Sequence, residues 1–158
     1  MKMDNENKKI ISTNRKARRN YEIFDTYEAG ISLRGNEVKS LRNQSCSIEE
    51  SFVRIEQQEA LLYNMHIPEF IKASYFKSDP LRIRKLLLHK KEITRLSTLT
   101  SQKGYTVVPL KVYSNEKGVI KIEIAIAKGR RLYDKREKIK EEFQKREAQR
   151  QMKKYWNR

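Results

Sequence analysis

The 158-residue sequence is poor in the residues that build metal centres and disulfide frameworks. Its single cysteine, Cys46, cannot form an internal disulfide, and its two histidines, His66 and His89, stand at no zinc-ligand spacing from it. No structural metal is expected. The five glycines are isolated and no Gly-Lys-Ser or Gly-Lys-Thr occurs, which removes a phosphate-cradling loop and with it nucleotide hydrolysis. The opening MKMDNENKK has no apolar stretch behind its charges, and no run of about 18 apolar residues occurs anywhere. Neither a secretory leader nor a spanning helix is expected, which points to a cytoplasmic protein. Neither histidine has a nucleophile and activator beside it in sequence. Glu49 and Glu50, as neighbours on a strand, would face opposite ways and hold no metal.

Positive charge is abundant, with a formal net charge of +16. It is placed at the ends. Residues 1–20 carry seven Lys/Arg against two acids and residues 128–158 carry thirteen against five, whereas the middle holds sixteen against thirteen. A nearly balanced body with strongly basic ends suits a polyanionic partner, because each Lys or Arg that neutralises a phosphate releases a condensed counterion. Nucleic acid is the leading partner class. A membrane surface fits less well, since no strongly amphipathic face accompanies the charge.

Hydropathy divides the chain into a leader, a body and a tail. Residues 1–13 have only Ile10 and Ile11 to bury and are expected to stay mobile, with order beginning at Asn14. YEIFDTYEAGISL (21–33) reads as a strand or kinked strand pair with its bend at Gly30, and NEVKSLRNQ (36–44) as a short helix capped by Asn36 with Val38 and Leu41 inward. SFVRI (51–55) and EALLYNMHI (59–67) form a hairpin around Glu56-Gln57-Gln58. A helix is predicted over 82–100, introduced by Asp79-Pro80. At about 100° per residue, Leu86, Ile93 and Leu96 share a face and Leu87 points away from it. TVVPLKVY (106–113) and VIKIEIAIA (119–127) form the clearest strand pair, with Pro109 marking an edge or a bulge. Five or six strands with one or two helices suggest a mainly β fold, a small oligonucleotide-binding-type barrel over residues 14–130. Residues 131–158 are rich in helix formers but carry no continuous apolar stripe, so the tail is expected to be disordered when free and helical when bound.

Seven segments in order across residues 14–140, NRKAR (14–18), YEIFDTYEAGI with EVKSLR (21–42), SFVRI (51–55), EALLYN with HI (59–67), DPLR with RKLLLHK and EI (79–93), VVPLK with Tyr113 (107–113) and AKGRRLYDKRE with IK (127–140), resemble the SsrA-binding protein family. The resemblance implies a non-enzymatic protein without cofactor that binds the transfer-like domain of transfer-messenger RNA one to one as a monomer. It further implies entry into stalled ribosomes, where the protein stands in for the anticodon arm so that the nascent chain is tagged. By position it implies RNA contacts at Asn14, Arg15, Lys16, Glu28 and Leu87, extended to Lys128, Gly129 and Arg130. Ribosome contacts fall in the tail at Tyr133, Asp134, Lys135, Arg136, Lys138 and Met152. Relatives with Lys in place of Arg15 or His in place of Tyr133 keep charge or stacking, respectively. From charge and strand pattern alone, a ribosomal protein or assembly factor of the same fold type is the competing reading.

Overall fold

The computed structural model describes residues 8–43, 46–70, 78–102, 104–130 and 132–156, with the backbone alone for 132–135. Its elements are β1 (Lys9–Thr13), α1 (Arg15–Asn20), β2 (Tyr21–Ile31), α2 (Gly35–Asn43), β3 (Phe52–Glu56), β4 (Glu59–Tyr63), β5 (Arg84–Leu87), α3 (Lys90–Thr100), β6 (Tyr105–Ser114), β7 (Ile120–Gly129) and α4 (Leu132–Trp156). One antiparallel sheet runs β1-β6-β3-β4-β5-β2-β7, and β7 also pairs with β6, so six strands close on themselves with β1 added outside. The mainly β expectation holds, with one strand more than anticipated.

Alternation fills the interior. Ile120, Ile122, Ile124 and Ile126 of β7 point inward with Val107 and Val112 of β6, Val53 of β3, Leu62 of β4 and Leu86 of β5. A smaller cluster lies on the opposite face of the β6–β7 pair, where Ala17 of α1 covers Val108, Leu110, Ala125 and Ala127. Alanines there leave room for a helix to approach the sheet closely. The β3–β4 hairpin turns through Gln57 and Gln58 at φ 47° and 62°, a two-residue turn matching the sheet twist. Pro109 sits at a register shift in β6, as expected of a bulge, but β6 is central and pairs with β1, β3 and β7. A bulge frees proline from the missing amide without an edge.

Four sequence expectations are corrected. Order begins before Asn14, because β1 pairs Lys9 to Thr13 with β6; strand addition needs backbone partners more than apolar side chains. The irregularity of β2 lies between Ile23 and Thr26, and at Gly30 the strand stays extended while pairing with Leu87 of β5 on one side and Lys121 of β7 on the other. Helix α2 starts at Gly35, with the Glu37 carboxylate accepting the Arg34 amide proton at 2.9 Å. Its buried face is Glu37, Ser40 and Leu41, with Val38 only half-buried.

The largest correction concerns 82–100, where a strand precedes a shorter helix. In β5, Arg84 and Leu86 point inward and Lys85 and Leu87 outward. The inward cation disguises the period of two. Arg84 is 1% exposed, and its Nε donates to Glu37 Oε1 at 3.0 Å. Its Nη1 donates to the Met65 carbonyl at 2.6 Å and its Nη2 to the Pro80 carbonyl at 3.1 Å. A charge buried in this way needs both a counter-charge and saturated donors. Leu87 does face away from the core, through strand alternation instead of helical phase. Tail residues Leu132–Trp156 form a helix, joined to α1 by Lys138 Nζ donating to the Arg18 carbonyl at 2.6 Å.

Candidate nucleic-acid interface

Strand β2 positions most of the expected contacts, because it pairs with β7 from Tyr21 to Gly30 and meets β5 at its far end. A continuous cross-strand row runs Leu87, Gly30, Lys121, Tyr113 and Ile10 over β5, β2, β7, β6 and β1. A neighbouring row holds Glu28, Glu123 and Lys111. Side chains of both rows share the outer face, since Ala29 and Ile122 between them are in the core. Gly30 is required by proximity: a Cβ there would lie 3.2 Å from Leu87 Cβ. Leu87 thus lies across the glycine and stays 56% exposed.

Glu28 is the electrostatic centre of this face. Its Oε1 accepts from Lys121 Nζ at 2.6 Å, its Oε2 accepts from the Tyr113 hydroxyl, and Lys8 Nζ lies 3.7 Å from Oε2. The hydrogen bonds from Lys121 and Tyr113 hold the carboxyl below its ordinary value despite some opposing desolvation. Tyr113 is 2% exposed, with the ammonium groups of Lys8 and Lys111 at 5.1 and 5.9 Å from its ring centre. Lys111 also pairs with Glu123 at 3.0 Å.

A second patch forms at the other end of β2, about 20 Å away for seven residues of strand at ~3.3 Å each. Here Tyr21 and Glu22 pair with Gly129 and Lys128, and the Arg130 amide donates to the Asn20 carbonyl at 2.9 Å. Lys128, Gly129 and Arg130 are thereby brought beside α1 and its cations Arg15, Lys16, Arg18 and Arg19. Lys128 Nζ lies 5.5 Å from the Tyr105 ring centre. The Nε atoms of Arg19 and Arg130 are buried with no hydrogen-bond partner among the described residues. Arg15 is exposed. Lys16 is held by Glu49 at 3.1 Å and Glu50 at 3.2 Å, and its hydrogen bonds to those two acids raise its pKa. The two acids lie in a turn, not on a strand, so both reach one ammonium.

Asn14 behaves differently from its neighbours. It is 2% exposed, its Oδ1 accepts the Ala17 amide proton at 3.0 Å as the cap of α1, and its Nδ2 donates to the Ile48 and Pro109 carbonyls at 3.1 and 3.0 Å. Its amide is spent on joining α1 to the sheet, so in this conformation it orients Arg15 and Lys16.

In the tail, Arg136 is exposed, Lys138 reaches α1, and Met152 is 68% exposed. Tyr133, Asp134 and Lys135 fall in the first turn of α4, and their side chains lie outside the described residues. Sequence reasoning missed Lys8, Lys111, Tyr113 and Lys121. Alternation opposite the isoleucines of β7 signals that Lys121 faces outward, but only the strand register puts it against Glu28. It also missed the outer face of β3–β4, where Phe52 and Tyr63 stack at 5.2 Å under the Arg54 guanidinium.

Among the described residues, both histidines and the cysteine have structural surroundings. His66 bridges backbone to backbone with Ser47, and His89 precedes α3 with its amide donating to Glu92 at 3.0 Å. Cys46 is buried, and desolvation pushes its thiol up to about 11, which makes it a poor nucleophile. No group of three His, Cys, Asp or Glu able to hold a metal occurs among the described residues, and none of their helices is long and apolar enough to cross a membrane.

Comparison with known proteins adds an independent line. A sequence model of the family described as SmpB protein matches residues 11–154. SsrA-binding protein from Caldanaerobacter subterraneus subsp. tengcongensis is 51% identical over 97% of this chain and 96% of its own length. SsrA-binding protein from Allorhizobium ampelinum is 56% identical over 84% of each. A solved structure described as "tmRNA-SmpB: a journey to the center of the bacterial ribosome" superposes with TM-score 0.66 at 48% identity, covering 81% of this chain and 93% of that one.

Proposed function

The chain belongs to the SmpB protein family, and from that premise we propose that it binds transfer-messenger RNA and carries it into stalled ribosomes for trans-translation. The observation that carries this reading is that family similarity spans both the closed sheet and the tail helix, at about half identity. The protein belongs to an RNA-binding family. It works by binding alone, as a cytoplasmic monomer on one RNA, without cofactor or covalent chemistry.

Two surfaces divide the task. The sheet face around Glu28 and Leu87 meets unpaired bases of the transfer-like domain, where a leucine packs on a splayed base and a carboxylate accepts base-edge donors. The patch of Arg15, Lys16, Lys128, Gly129 and Arg130 takes up backbone phosphates, with Asn14 holding α1 in place. The tail, with Tyr133, Asp134, Lys135, Arg136, Lys138 and Met152, faces the decoding centre and message channel, so that the protein occupies the space of a missing anticodon arm.

A gel-shift titration at near-physiological salt tests the first half, comparing transfer-messenger RNA, an ordinary transfer RNA and a plain duplex. Wild type should prefer the first RNA strongly, and Glu28→Ala/Leu87→Ala should lose that preference while keeping salt-dependent duplex binding. Equal binding of all three RNAs by wild type would refute sheet-face recognition and return the balance to a ribosomal protein, whose occupancy would not follow stalling.

A further inference from the structure

The carboxylate of Glu28 is unusual in being built into the face from below. Two donors reach it from two other strands, Lys121 on β7 and the Tyr113 hydroxyl on β6, and Lys8 just before β1 adds a longer ion pair at 3.7 Å. A carboxylate offers about four lone-pair positions. Tyr113 takes one on Oε2 and Lys121 one on Oε1, which leaves one on each oxygen, and the side chain is 42% exposed. What remains is one acceptor position on each oxygen of a part-exposed carboxylate, on the same outer face as the exposed Leu87.

We propose that Tyr113 is a specificity-determining positioning residue, whose buried hydroxyl fixes Glu28 so that its two free lone pairs accept the Watson–Crick edge of one unpaired guanine. Base chemistry supports the assignment. Guanine alone presents two adjacent N–H donors, N1–H and N2–H, that match one acceptor on each carboxylate oxygen. Adenine and cytosine place one amino donor beside a ring nitrogen acceptor, which a carboxylate repels, and uracil sets one donor between two carbonyls. The lysines have a distinct part: with Lys121 and Lys8 beside it, the acid does not repel the phosphates that accompany the base. Tyr113 has little exposure of its own and acts through Glu28.

This inference rests on the reading of the Glu28 face as an RNA surface, and a double-mutant cycle separates the two. Binding of the full chain to transfer-messenger RNA and to a plain duplex is measured for wild type, Tyr113→Phe, Glu28→Gln and the double variant, with urea midpoints recorded alongside. Tyr113→Phe keeps the ring and should weaken the first RNA roughly ten- to a hundredfold, the scale of one hydrogen bond to a charged group, without changing duplex binding. Glu28→Gln should weaken it at least as much, and the double variant no further. Multiplying effects, or loss in Glu28→Gln with none in Tyr113→Phe, overturn the positioning role alone. Wild-type affinity in Glu28→Gln overturns both it and the underlying surface. A readout on the RNA side is independent of protein stability: single guanosine-to-inosine replacements at unpaired positions remove the N2 amino group. One replacement should weaken wild type roughly ten- to a hundredfold and leave Tyr113→Phe unaffected; if no position does so, the proposal fails.

Discussion

Replacing Glu37 by Ala should unfold more of the protein than any surface change, and the structure supplies the magnitude. Glu37 is 3% exposed and accepts from Arg84 Nε at 3.0 Å, from Arg82 Nη2 at 2.6 Å and from the Arg34 amide at 2.9 Å. Truncation strands the Arg84 guanidinium in the core, which costs about 3–5 kcal/mol, and removes a helix-start hydrogen bond worth roughly 1 kcal/mol. Against a total of about 5–15 kcal/mol, that is a large share. The assay is urea denaturation followed by circular dichroism, and the expected loss is about 4–6 kcal/mol. A loss below about 1 kcal/mol would show that Arg84 escapes to solvent, and would refute the account of why β5 tolerates an inward cation. The same pair sets a pH dependence. Burial, the largest single influence, opposes ionisation of Glu37, but the hydrogen bonds from Arg82 and Arg34 and the charge of Arg84 outweigh it and depress the pKa. A depressed folded-state value means that the stabilisation is complete above the ordinary value of 4.5 and is lost as pH falls through the lower folded one. The stability gap between wild type and Glu37→Gln should therefore be constant near neutrality and narrow below about pH 4.5.

Three further outcomes are expected. Gln57→Asn/Gln58→Gly should raise the urea midpoint by about 1 kcal/mol equivalent, because both positions have positive φ; a lower midpoint would contradict the assigned turn. Asn14→Ala should cost about 2–3 kcal/mol through the lost cap and two lost hydrogen bonds, and amide exchange should accelerate first in α1 and β1; intact stability with lost RNA binding would instead make Asn14 a direct contact. Changing Asp134, Lys135 and Arg136 together to Ala should leave transfer-messenger RNA binding within about twofold while abolishing tagging in a translation assay. Equal loss of both would refute the division between sheet and tail.

Much of the sheet was legible because its strands obey simple alternation. The β7 isoleucines, the Gln57-Gln58 hairpin and the Pro109 bulge all follow from local pattern. Failures occurred where long-range pairing replaced a local rule. Arg84 reads as a surface residue until Glu37, 47 positions earlier, neutralises it, and without that pairing RIRKLLLHK looks helical. Likewise β1 is too short to be read from its two isoleucines alone and is fixed by pairing with β6, about 100 positions later, where Ile11 packs against the core.

The sequence by itself determined the basic ends, the β-rich body and the ordered motifs that mark the family. Glu28 and Leu87 could be singled out from those motifs, because residue type and order survive in one dimension. Only the tertiary structure decided that these two lie on one outer face with Lys121 and Tyr113, that the Arg15 and Lys128 group lies at the opposite end of β2, and that Asn14 is consumed in capping. Those outcomes depend on strand register and closure of the sheet, which arise from pairing between residues far apart in sequence, such as Tyr21 with Gly129 and Lys9 with Ser114. A one-residue slip in β2 against β7 would turn Glu28 into the core, so the outer face that carries Glu28 is a property of the closed sheet.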